Sequence, residues 1–326
     1  MRTITHVALA IASIQLGTMA LHTQPALAQS WPQRTVRLIT PNTVGNGGDL
    51  TARLFAERLA ERWGRPVIVE NRPGADGILA VTGFLGARDD HTLLFSFAGV
   101  ISINPVIYEK LPYDPVRDLV PIVSASESIS GVAVSSALNV HSVDDFVKLA
   151  RSQPNKLNWA ATAGLPTYVF MALQQSAGIQ LVRTFYRDFA PALSDLSEGR
   201  IQAAVAGLGV LLPVAQTGKI KLLMVTNRER SPLALEVPTT QEAGYPELRF
   251  DAVVGFYGWR DIPADLKDRI AADVRAVAVD PSVAARLAAL GSILRVGTSA
   301  EFVATIEEQR AKIAALARAT GTMPTR

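Results

Sequence analysis

The sequence predicts an α/β protein with largely parallel sheets, divided into two domains around a cleft. Short apolar runs alternate with segments whose apolar residues recur at helical spacing, which is the rhythm of linked strand and helix units. The chain has 326 residues, long for one domain and comfortable for two. Loops rich in glycine or small polar residues follow strands in both halves, at 43–49, 71–77, 97–99, 161–164 and 207–209. Ligands in such sheets bind where strands lead into helices, so loops from both halves point to a site between two domains.

The N-terminus reads as an export signal. Arg2 is the only charge in the first 28 residues, a mostly apolar stretch covers 4–21, and Ala26-Leu27-Ala28 has the small-x-small form of a cleavage site. Ser13, Gln15 and Gly17 interrupt the apolar stretch, which is short for a membrane span. The mature chain is therefore expected to begin near Gln29.

The first strand, 36–40, runs into Pro41-Asn42-Thr43-Val44-Gly45-Asn46-Gly47-Gly48-Asp49. Three glycines let a ligand approach the backbone closely. Asp49 suits the N-cap of the helix that follows, whose unpaired N–H groups and partial positive charge favour an anion. That helix shows one apolar face, Leu50, Leu54, Phe55, Leu59 and Trp63, and Gly64 is its stop signal. Further strands are expected at 67–69, 92–97, 121–125 and 131–135. Ser142-Val143-Asp144-Asp145 resembles a capping box ahead of Phe146, Val147 and Leu149. Strands at 157–161, 181–186, 201–206, 221–226 and 252–259 follow, and two helices, 266–279 and 302–316, end the pattern.

The formal charge of +3 is spread among interspersed acids and bases, which gives no reason to expect a nucleic-acid partner. The absence of cysteine excludes disulfides and thiolate metal sites. No low-complexity segment or short repeat is present.

Catalytic equipment is sparse. Gly45-Asn46-Gly47 imitates a dinucleotide fingerprint, and Glu70 stands where a ribose-binding acid would, but Leu50 occupies the place of the third glycine. Glu70 reads instead as a strand-end residue bracing its own loop. His91 and His141 are 50 residues apart, outside any metal-ligand pattern, and each is expected in a solvated loop. There is no GxSxG elbow and no P-loop. Asp188, Asp195 and Glu198 are spaced like exposed helix residues. No catalytic residue, metal or cofactor is expected. Among the aromatics near the candidate loops, Tyr168 and Tyr186 are candidate hydroxyl donors to a ligand. Of Arg183 and Arg187, which flank Tyr186, one could face the cleft as an anion partner, or both could pair at the surface.

Ordered segments along the whole mature chain resemble one family. They include Val69-Glu70-Asn71-Arg72-Pro73-Gly74-Ala75, Leu111-Pro112-Tyr113-Asp114-Pro115, Lys156-Leu157-Asn158-Trp159, Glu198-Gly199-Arg200-Ile201 and Glu242-Ala243-Gly244-Tyr245-Pro246. The chain resembles the extracytoplasmic solute receptors of tripartite tricarboxylate transporters, the Bordetella-uptake-gene type. The resemblance implies a two-lobed type II periplasmic binding protein, a Venus flytrap, with a mostly parallel sheet in each lobe. It places lobe 1 at 29–128 and 251–326 and lobe 2 at 129–250, after a signal peptide of 1–28, with crossings near Glu127–Ser130 and Phe250–Asp251. It also implies a small carboxylate pinched between a glycine loop and a small-residue loop. On that basis the ligand-binding candidates are Thr43, Val44, Gly45, Asn46, Gly47, Gly48 and Asp49, with Ala98, from lobe 1. Lobe 2 offers Thr162, Ala163, Gly164, Tyr168 and Tyr186. Asn46 stands where the family usually has glycine, Val44 where it has proline, and Tyr168 where histidine is common. The expected partners are a small carboxylate and integral membrane transporter subunits, the compartment is the periplasm, and the protein acts as a monomer. Alternatives are an exported enzyme on the same scaffold and a receptor that presents ligand to a membrane sensor.

Overall fold

The computed structural model describes residues 31–321. The expected signal peptide, 1–28, lies outside the described residues. In the first half, apolar five- and six-residue runs become strands and amphipathic segments become the helices between them. The order is β1 (Val36–Thr40), α1 (Gly47–Trp63), β2 (Val67–Asn71), α2 (Ile78–Ala87), β3 (Thr92–Phe97) and the short helices α3 (Gly99–Ser102) and α4 (Asn104–Ile107). The long β4 (Leu119–Ser128) passes through Ile129 into β5 (Ser130–Ser135). Then come α5 (Val143–Ser152), β6 (Asn158–Ala161), α6 (Leu165–Ala177), β7 (Val182–Arg183), α7 (Phe189–Ser197), β8 (Ala203–Gly207), α8 (Leu208–Ala215) and β9 (Ile220–Val225). The described residues end with β10 (Ala252–Trp259), α9 (Ala264–Ala278), α10 (Pro281–Ala289), β11 (Ser292–Leu294) and α11 (Ser299–Thr320).

These strands form two sheets, ordered β11-β4-β10-β3-β1-β2 and β7-β6-β8-β5-β9. Strands joined through helices are parallel, β2-β1-β3 in one sheet and β7-β6-β8 in the other. The antiparallel pairings involve β4, β5, β9 and β10, which flank the crossings between sheets, and the edge strand β11. At the first crossing the Ile129 N–H donates to the Gly291 carbonyl, and the Ile129 carbonyl accepts from the Leu208 N–H at 2.7 Å. One residue thus touches loops from both lobes.

Aromatic packing marks the cores. Phe55, Phe95 and Phe256 meet edge to face or tilted under the first sheet, with centroids 5.0–6.2 Å apart. Trp159 stacks on Phe170 at 4.4 Å in the second lobe. The capping pattern at Ser142 is present, since its hydroxyl accepts the Asp145 N–H. α11 starts in a full capping box between Thr298 and Glu301. It lends Phe302 and Ile306 to one apolar cluster and Ile313, Leu316 and Ala317 to the other. Among the described residues no helix is long and apolar enough to cross a membrane.

Several expectations change in detail. The strand expected at 181–186 contracts to Val182–Arg183, because it is an edge strand that pairs with β6 at only two positions. β11 was not expected. It is three residues long, too short for any alternation to register. His91 is buried rather than solvated: its Nε2 accepts the Gln33 N–H, its Nδ1 contacts Asp90, and its ring lies 5.6 Å from that of Trp31. His141 is exposed, beside Lys221. Glu70 braces its strand end as expected, paired with Arg37 and Arg72.

Candidate functional site

A cavity of about 590 Å³ lies between the lobes, the size of a small-molecule site. Its wall comes from the places where β1, β3, β6 and β8 lead into helices: residues 42, 45–48, 97–99, 162–166, 207, 209 and 210. Three helices begin at its wall. α1 and α6 start in opposite lobes, and α8 starts beside the crossing. The first N–H groups of a helix have no carbonyl one turn back, so the starts of α1 and α6, facing one cavity from opposite lobes, make an anion receptor from backbone. At α8 the first N–H, that of Leu208, is already taken by the Ile129 carbonyl.

The first glycine loop owes its shape to side chains beneath it. Asn46, not Asp49, is the N-cap of α1: its side-chain oxygen accepts the Asp49 N–H at 2.8 Å. Asp49 is the third helical residue, 1% exposed, and its carboxylate faces inward. It accepts from the Gly45 N–H at 2.8 Å, Asn71 Nδ2 at 2.7 Å and Arg53 Nε at 3.0 Å. Burial would raise its pKa, but the hydrogen bonds from Arg53, Asn71 and Gly45 outweigh burial and hold it below the usual carboxylate range. Gly45 has φ +84°, a left-handed conformation that glycine adopts without strain.

The expected site residues separate into two sets. Gly45, Asn46, Gly47, Gly48, Ala98, Thr162, Ala163 and Gly164 all line the cavity. Tyr168 lines an adjoining compartment of about 230 Å³, which shares Phe97, Gly99, Ile103, Ala163 and Gly164 with the main one. Thr43, Val44 and Asp49 do not line either compartment. Thr43 instead supplies the carbonyl that accepts the Asn46 N–H, and Val44 is exposed. Tyr186 also lies off both walls, because its hydroxyl donates to Asp195 at 2.6 Å. Arg183 lines the second compartment and Arg187 lines neither.

Other wall residues were not anticipated. Asn42 opens the first glycine loop, and Ser128, Ser130, Gln309 and the 289–292 loop come from a crossing or from elements distant in sequence, which no local pattern marks. Leu290 and Gly291 approach α8 closely: an added Cβ on Gly209 would lie 2.8 Å from the Leu290 carbonyl oxygen. Thr162 has no hydrogen-bond partner for its hydroxyl among the described residues, so that group is free to donate. Burial pushes the Tyr168 hydroxyl up to about 12, so it stays protonated and able to donate. The same burial lowers the Arg183 pKa, opposed by nearby Tyr168 and Asp76.

Among the described residues one group has the makings of a metal site, Asp89, Asp90 and His91. Its donors are already engaged. Arg34 bridges both carboxylates, and the ring nitrogens of His91 face Asp90 and the Gln33 N–H.

Residues 51–322 match the family model described as the tripartite tricarboxylate transporter family receptor. The chain is 28% identical over 307 residues to a UPF0065 protein of Bordetella bronchiseptica, covering 94% of this chain and 91% of that one. Among solved structures it is similar to R. palustris Rpa4515 with adipate, at 27% identity and a TM-score of 0.82, over 91% of this chain and 100% of that one. It is also similar to MatC (Rpa3494) from Rhodopseudomonas palustris with bound malate, at 26% identity and a TM-score of 0.75, over 87% and 99% of the two chains. The two-lobed α/β architecture is that of the periplasmic binding proteins. With most of its length inside the family match, the chain belongs to the tripartite tricarboxylate transporter family of receptors.

Proposed function

We propose that this protein is a periplasmic receptor that captures a small carboxylate between its lobes and delivers it to integral membrane subunits of a tripartite tricarboxylate-type transporter. The observation that carries this reading is the convergence of the starts of α1 and α6 on one cavity from opposite lobes. A carboxylate held by both lobes favours the closed arrangement through its differential affinity. The relatives solved with adipate and malate support a carboxylate ligand. The candidate binding groups are the backbone of Gly45, Gly47, Gly48, Ala163 and Gly164, with the side chains of Asn46 and Thr162. Among the described residues none that lines the main cavity is charged, which favours binding over acid–base catalysis. We further propose lobe 1 at 29–128 and 251–326, lobe 2 at 129–250, removal of 1–28 on export, and a monomeric receptor with no nucleic-acid partner.

The test is a thermal-shift screen of the mature protein against a carboxylate library. A ligand at about 100 times its Kd should stabilise the fold by about 2.7 kcal/mol. A shift that disappears when the same compound is amidated supports the reading. Turnover of a bound compound, or a shift indifferent to amidation, counts against it.

A further inference from the structure

Among the described residues two charged ones, Asp76 and Arg183, line the second compartment, and none lines the main cavity. They come from opposite lobes. Asp76 lies between β2 and α2, and Arg183 ends β7. They do not pair with each other, and Arg183 has no acidic partner among the described residues.

Each is held in place by uncharged groups. The Arg183 guanidinium lies 5.3 Å from the Trp159 ring centroid and 4.6 Å from that of Phe185, and its Nη2 donates to Thr167 Oγ1 at 2.9 Å. Its remaining N–H groups have no protein partner among the described residues and keep the fork geometry that suits a carboxylate. Asp76 has φ +49°, a left-handed backbone that aspartate tolerates better than most residues. Its Oδ2 accepts from the Tyr108 hydroxyl at 2.6 Å and its carbonyl accepts from Asn104. Oδ1 keeps no protein partner among the described residues, and neither does the Tyr168 hydroxyl on the same wall.

Arg183 and Asp76 attract each other across the compartment without forming an ion pair, and a ligand that supplies both opposite charges satisfies each at closer range. A plain dicarboxylate would satisfy Arg183 but bring like charge toward Asp76. Building on the proposed carboxylate-receptor function, we infer that Arg183 and Asp76 select a ligand whose far end carries both a carboxylate and an ammonium group. The ligand class is then an amino-dicarboxylate. One carboxylate sits at the helix ends, the other sits on Arg183, and the ammonium sits on Asp76 with Tyr168 beside it.

The test is calorimetric titration of the mature protein with matched pairs, glutamate against glutarate and 2-aminoadipate against adipate. The unmodified protein should bind the amino member of at least one pair ten-fold or more tighter than its partner. In Asp76→Asn, where the new residue also accepts the left-handed backbone, that preference should vanish while the plain diacid binds as well or better. Arg183→Gln should weaken both members ten-fold or more. Equal or tighter binding of plain diacids by the unmodified protein overturns the inference and leaves the receptor function standing. A preference that survives in folded Asp76→Asn does the same. If neither these compounds nor simple monocarboxylates bind, the receptor function itself fails and the inference falls with it.

Discussion

The Asp49 carboxylate and the Asn71 side-chain amide meet at 2.7 Å beneath the first glycine loop. The same amide nitrogen donates to the Asn42 carbonyl at 2.9 Å, so Asn71 ties the end of β2 to both the loop and α1. Asn71→Ala should cost about 1–3 kcal/mol, because the buried carboxylate loses a donor. It should also weaken carboxylate affinity by loosening the loop. Urea unfolding and calorimetry on the same preparation check both, and an unchanged midpoint would show that Arg53 and Gly45 suffice.

Gly47 is the first residue of α1 and lines the cavity. A Cβ there meets only the Leu290 carbonyl oxygen, at an ordinary 3.5 Å. Gly47→Val should therefore fold with little loss yet bind no carboxylate, since the side chain stands where a ligand must reach the backbone. Full affinity in the folded variant would remove this loop from the site.

Thr162→Ala tests the opposite lobe. Its hydroxyl has no competing protein partner among the described residues, so its loss should weaken ligand binding by about 1 kcal/mol with little change in melting temperature. Identical affinities would exclude it as a donor.

Gly209→Ala probes the contact between α8 and the 289–292 loop. The added methyl lies 2.8 Å from the Leu290 carbonyl, a backbone atom that has little room to yield. Overpacking of this kind costs about 1–3 kcal/mol. The change should appear as a lower urea midpoint, whereas Gly207→Ala, which meets nothing within 4 Å, should leave it close to the parent.

Acid should reveal Asp89. The Arg34 guanidinium holds its carboxyl at about 2, below the ordinary 3.8. A folded-state pKa below the unfolded value adds stability that is present above pH 3.8 and is lost as pH falls toward 2. Asp89→Asn should flatten that part of a stability profile measured between about pH 5 and 2. Parallel profiles for parent and variant would mean that Arg34 contributes nothing there.

The sequence was most legible where local pattern and tertiary role coincide. The runs at 36–40, 92–97 and 252–259 are strands to the residue, because each is apolar and central in its sheet. The glycine loop and 162–164 were legible as loops at strand ends, and they share one cavity. What was missed depends on partners distant in sequence. His91 is buried only because residues near 31 fold over it. The Tyr186 hydroxyl turns from the cleft because Asp195 on α7 accepts its hydrogen. Asn46 took the N-cap expected of Asp49, whose carboxylate Asn71, 22 residues on, holds inward and off the cavity wall. Asp76 gave no signal, since its importance lies in what faces it from the other lobe.

α11 has a consequence for how the protein is made. It contributes to the cores on both sides of the cleft, through Phe302 and Ile306 on one and Ile313, Leu316 and Ala317 on the other. A growing chain therefore carries two unfinished cores until α11 has been synthesised. Lobes that fold as separate units could mature in turn during translation. Here α11 completes both together, so resistance to protease should arrive in one step, once α11 is made, rather than lobe by lobe.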